Sequence, residues 1–102
     1  MAFGFNIPAD RTTPDAPQEL TLSPGTPGHL VAKWPPAPGA ARYRVFKKVA
    51  GVDEDFVLAK TVSDTEAILN TFTSGAFVSV EVTAVNSAGE SLPSEPAEQV
   101  VP

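Results

Sequence analysis

Phe72-Thr-Ser-Gly-Ala-Phe-Val-Ser-Val-Glu-Val-Thr-Ala-Val-Asn86 is the stretch whose reading decides the fold. Ser74 and Gly75 give a turn signal, after which Val78, Val80, Val82 and Ala84 alternate with Ser79, Glu81 and Thr83. Side chains on a strand point to opposite faces with a period of two, so the alternation predicts one apolar face and one wet face. Residues in a strand advance about 3.3 Å each, so this run spans roughly 30 Å, enough to cross a small domain. Such a strand is a spine against which shorter strands pair.

Working outward, the flanking sequence supplies those shorter strands. Upstream, Leu20 and Leu22 alternate with Glu19 and Thr21, and Pro24-Gly-Thr-Pro-Gly28 is a turn by composition. Leu30, Ala32 and Trp34 then share a face, and Pro35 and Pro36 end that strand because proline lacks a ladder donor. Arg42–Lys48 follows with Tyr43 and Val45 inward, then an acidic turn, then Phe56–Val62, whose facing is open because it is apolar at both parities. Glu66–Leu69 places Ala67 and Leu69 inward. Beyond the spine, Ser87-Ala-Gly-Glu90 turns the chain into a last strand near Glu95–Val101. No segment keeps a helical period over three turns. Seven strands separated by turn signals every eight to twelve residues predict an all-β, immunoglobulin-like antiparallel sandwich.

A chain of 102 residues holds one domain with a core large enough to fold alone. The 42% apolar content excludes wholesale disorder, and the 11 prolines cluster between apolar runs as rigid turns. A formal charge of −5 argues against nonspecific nucleic-acid binding, which needs a positive surface. Cysteine is absent, so neither disulfides nor thiolate ligands support the fold. No run of about 18 apolar residues is present to span a membrane. Met1–Ile7 lacks the basic leader and long apolar core of a signal peptide. Residues 1–13 are expected to be an N-terminal tail or linker and 14–102 the domain. The sharper reading of the tail is that Phe3 and Phe5 dock on this domain or a neighbour.

Chemistry is sparse. His29, the only histidine, stands beside a Pro/Gly turn without an organised carboxylate and reads as a surface residue. Asp53-Glu-Asp55 lacks the spaced ligands and glycine of a calcium loop, so a solvated acidic turn is expected. No histidine or lysine is placed to activate a serine. The sequence therefore predicts no catalytic, cofactor or metal residues and no enzyme.

The order Pro14-x-x-Pro17-x-x-Leu20, Trp34 followed by Pro36, Tyr43-Arg-Val45, Leu69, Phe72-x-Ser-Gly75, Val78-x-Val-x-Val-x-Ala-x-Asn86, Gly89-Glu-Ser91 and Pro93-Ser94 resembles a fibronectin type III domain over residues 14–102. The resemblance implies two sheets, with strands A, B and E facing C′, C, F and G. It also implies a tyrosine at position 78, whose hydroxyl would tie the E–F corner, and a leucine at 72. Here Val78 and Phe72 stand instead, so apolar packing is expected to replace that hydrogen bond. The Arg-Gly-Asp with which some members bind integrins is missing from Ser87–Glu90.

Members of the family serve as recognition modules at animal cell surfaces and as spacers in secreted bacterial enzymes. The resemblance thus implies a structural module within a multidomain protein, and by itself favours an extracellular or cell-surface setting. The expected partners are neighbouring domains of a parent chain or another protein, and the isolated domain is expected to be a monomer. The alternative is a recognition module using the outer C-F-G face. With Tyr43 and Val45 inward, Arg42, Arg44, Phe46 and Lys48 project outward, joined by Val85 of the neighbouring strand. Glu81 is expected among the arginines as a cross-strand partner. An aromatic ringed by basic residues on an acidic protein would suit an acidic partner.

Overall fold

The spine is β6 (Phe77–Asn86), around which the other strands are arranged as β1 (Thr21–Pro24), β2 (Leu30–Lys33), β3 (Arg42–Val49), β4 (Val57–Val62), β5 (Glu66–Leu69), β7 (Gly89–Glu90) and β8 (Ala97–Val100). This is a computed structural model, and it describes residues 12–102. One sheet has the order β1-β2-β5. The other runs β4-β3-β6, with both β7 and β8 pairing to the far side of β6. Every pair is antiparallel. The expectations for Phe3 and Phe5 lie outside the described residues.

Alternation along each strand places the core as its period requires. Val78, Val80, Val82 and Ala84 of β6 are fully buried against Leu30, Ala32, Trp34, Ala67 and Leu69 from the opposite sheet. Tyr43 and Val45 complete the layer from β3. Trp34 and Tyr43 meet edge to face, their ring centroids 5.4 Å apart, a geometry the aromatic quadrupoles favour. The Tyr43 hydroxyl accepts the Ala37 N–H at 2.9 Å and so ties down the proline-rich loop that follows β2.

Two departures from regular pairing shape the surfaces. The first is a bulge in β4: Val45 faces Lys60 but Phe46 faces Leu58, which leaves Ala59 as an extra residue. A single insertion flips every side chain beyond it to the other face, which is why this segment is apolar at both parities. The second is a two-residue strand, β7, at Gly89–Glu90 where the sequence predicts only a turn, so that eight strands form among the described residues instead of seven. Pro93 and Pro96 remove backbone donors between β7 and β8, and two serines take over there. Ser91 donates its N–H to Ala84 O at 2.8 Å and accepts the Ala84 N–H on its hydroxyl at 2.9 Å. Ser94 treats Val82 the same way, at 2.9 and 3.0 Å.

The corner without a tyrosine is held by backbone ties. Gly75 N–H donates to Val101 O and Val101 N–H to Ala76 O, both at 2.8 Å. The Ser74 hydroxyl and Gly28 N–H both donate to Pro102 O, at 2.9 and 3.0 Å. Phe72 packs half-buried against the core, and Val78 is fully buried at the position where the resemblance implies a tyrosine. At the other pole, Asn86 is saturated. Its amide donates to Thr12 O and Gly39 O at 2.8 and 3.1 Å, and its carbonyl accepts Ala88 and Gly89 N–H at 2.8 and 3.2 Å. Gly89 has φ +143°, and a Cβ there would lie 3.2 Å from the Thr13 methyl, so the turn requires glycine.

Candidate protein-binding face

β3 displays Arg42, Arg44, Phe46 and Lys48 on the outer face because Tyr43 and Val45 occupy the inner one. Register sets their neighbours on β6: Val85 opposite Arg42, Thr83 opposite Arg44, Glu81 opposite Phe46 and Ser79 opposite Lys48. Arg42 is exposed, whereas Arg44, Phe46 and Lys48 are half-buried. Four of the five expected residues therefore share one surface. The fifth does not contribute to it.

Val85 is only 4% exposed, so it is no part of an accessible patch. Its cross-strand partner on β7 is Glu90, a residue that parity along β3 and β6 does not reveal. Arg44 donates to the Glu90 carboxylate at 3.0 Å, and the Thr83 hydroxyl donates to its other oxygen at 2.6 Å. β3 and β7 lie on opposite sides of β6, so the Arg44–Glu90 pair must arch over that strand. Thr83 and Val85 lie beneath the arch, buried although they face away from the core. The pair also corrects the expectation for Glu81, which makes none of the ion pairs among the described residues. Partial burial beside Phe46 raises the Glu81 pKa above the ordinary carboxylate value. A sequence signal for the pairing did exist, since Glu90 stands in the Gly89-Glu-Ser91 run next to the end of β6.

The β4 bulge makes good part of the apolar area lost with Val85. It sets Leu58, half exposed, beside Phe46 on the outer face. Phe56 follows two residues earlier, and the Lys48 ammonium lies 6.0 Å from its ring centroid, within cation–π range. The open part of the face thus comprises Phe46, Leu58 and Phe56 with Lys48 and Arg42 at its margins.

The acidic turn also differs from expectation. Asp53 is not simply solvated: it accepts from Lys47 Nζ at 2.7 Å and from Val49 N–H at 3.0 Å. The Lys47 hydrogen bond, followed by the Val49 amide, lowers its pKa below the usual value. Asp53 is a clasp for the β3–β4 turn. His29 donates from Nδ1 to Pro27 O, 3.0 Å away, within its own turn. Among the described residues, no group of three or more histidine, cysteine or carboxylate side chains is placed to hold a metal ion. No helix there is long and apolar enough to cross a membrane.

Two antiparallel sheets packed around a Trp34–Tyr43 centre, with chemistry confined to ion pairs and turn clasps, define an immunoglobulin-like β-sandwich module. The sequence matches the family model described as "Fibronectin type III domain" over residues 15–100. The chain belongs to the fibronectin type III family. Solved structures similar to it include FN3tt, with 20% identity, a TM-score of 0.79 and coverage of 88% of this chain and 96% of that one. An Fn3-like protein from Clostridium thermocellum matches at 22% identity and TM-score 0.77, covering 89% and 96%. The twitchin kinase region from C. elegans matches at 20% identity and TM-score 0.79, covering 89% of this chain but 17% of the larger one. A comparison with curated proteins found no match. The family is generally non-catalytic and occurs within multidomain proteins such as titin and twitchin.

Proposed function

We propose that this chain is a non-catalytic structural module that sits in series within a larger protein. The observation that carries the reading is the placement of Thr12 and Pro102. Thr12 is tied to Asn86 at one end of β6, while Pro102 is tied to Gly28 and Ser74 beside the other end. Thr12 and Pro102 therefore lie at opposite poles, as a length-adding element requires. Its partners are then neighbouring domains, and the isolated module is a monomer with no nucleic-acid or membrane-inserting role. The test is small-angle scattering of one copy against two copies joined head to tail. The second copy should add roughly 30 Å to the maximum dimension, the span of a ten-residue strand. A two-copy chain as short as the single copy would overturn the reading.

The bulge at Ala59 supports a second reading, recognition of another protein by the outer face, because it joins Leu58 and Phe56 to Phe46. On this reading Arg42, Phe46 and Lys48 make the contact, Arg44 holds the arch and Val85 lies beneath it. Phe46→Ala should then abolish capture of a partner from native extract without changing the melting temperature. Retained capture by the variant would end this reading.

A further inference from the structure

β4 and β5 are joined by a short turn but do not pair with each other, and each is the edge of its own sheet. The space between them is a groove with two concavities. One, of about 470 Å³, is lined by Val49, Ala59, Leu69 and Phe72; the other, of about 650 Å³, by Val62, Asp64 and Ala67. Lys60 and Ile68 line both, and Lys60 Nζ donates to Ile68 O at 3.0 Å across the boundary. β4 is the longer of the two edges. It contains no proline, exposes Val57 and Leu58, and pairs on one side only.

We propose that the free edge of β4 accepts an extended peptide from a partner protein, with apolar residues at alternate positions and a carboxylate opposite Lys60. The physical components are all present. An unpaired edge offers main-chain donors and acceptors to an added strand, and concavities at alternate positions select its side chains. The apolar walls of the smaller cavity at Val49, Leu69 and Phe72 take the aliphatic residues. The Lys60 ammonium carries three donors and spends one on Ile68 O, leaving donors for a carboxylate. Charge also chooses against a second copy of this chain as the occupant. Two β4 strands paired antiparallel about Lys60 would set like charges against each other. This surface and the outer face meet at Leu58, but the residues that line the concavities beside Lys60 do not include Phe46.

The experiment uses the isotopically labelled full chain and two seven-residue peptides with valine at alternate positions and threonine between. They differ only in a central glutamate or lysine. At millimolar concentration the glutamate peptide should shift the amides of Val57–Val62 and Glu66–Leu69 and slow hydrogen exchange in β4. Lys60→Glu should weaken the glutamate peptide and strengthen the lysine peptide, each by roughly three- to tenfold. Lys60→Gln, which keeps a donor for Ile68 O, should erase the preference between the peptides, and unchanged melting curves establish that both variants fold. The proposal is overturned by an absence of shifts, by shifts that map to β1 or β8, or by peptide preference that survives both Lys60 variants.

Discussion

The two halves of the outer face of β6 differ although their sequence pattern is the same. Toward Asn86, Thr83 and Val85 are as hidden as core residues, while toward the other end Ser79 and Glu81 are half-buried and Phe77 is exposed. Parity treats all five alike. The difference comes from strands that are not adjacent: at one end Arg44 of β3 reaches Glu90 of β7 across β6, and at the other no such pair closes. Strand period decides which way a side chain points. Long neighbours decide whether water reaches it.

The contrast between a packed inner face and a roofed outer one can be tested by substitution. The largest effect belongs to the inner face: Trp34→Ala should cost about 3–5 kcal/mol in denaturant unfolding, the usual range for a large buried aromatic. A midpoint shift worth less than about 1 kcal/mol would place the tryptophan outside the cooperative core. Next is Ser94→Ala, which leaves the buried Val82 N–H without its acceptor and should cost about 1–3 kcal/mol. Ser94→Thr, which keeps the hydroxyl, should recover most of that loss.

Glu90→Ala removes the arch and is expected to cost only about 0.2–1 kcal/mol, because both partners are more than a third exposed. Its clearer signature is exposure. The Val85 methyl groups should become sensitive to a soluble paramagnetic agent, while those of Val82 stay protected. If Val85 remains shielded, something other than the ion pair covers it. The smallest effect is at Glu81, where burial raises the folded pKa above the unfolded value. Ionisation therefore costs stability as pH rises through the window between those two values, and the cost is absent below the unfolded one. Glu81→Gln should melt slightly higher than the parent near neutral pH, and that advantage should vanish under acid conditions. An advantage that grows on acidification would reverse the assigned sign.

Much of the architecture was legible because it rests on period. The inward sets of β2, β3, β5 and β6 follow from alternation alone, and Trp34 and Tyr43 fall where the resemblance implies. The missed features have a common character, in that each depends on a partner outside its own element. Ala59 is extra only relative to β3, so nothing in Phe56–Val62 marks it beyond the apolar residues at both parities. Asp53 reads as one of three acids until Lys47 and the Val49 amide converge on it. Parity places Val85 on the outer face, but the ion pair that arches over β6 there joins residues 46 positions apart. The tyrosine missing at 78 was visible in the sequence; the backbone ties that replace it were not.

The paired serines at 91 and 94 have a mechanical consequence. Tension applied between Thr12 and Pro102 would run along β6 and its neighbours, because those residues sit at opposite poles. Antiparallel strands pulled along their length share the load among all their cross-links at once, so the number of links resisting rupture matters more than the strength of any one. The prolines at 93 and 96 would leave a gap in that row. Ser91 and Ser94 fill it, each gripping one residue of β6 through both its hydroxyl and its amide, so that the short β7 and the four-residue β8 resist shear as one continuous seam.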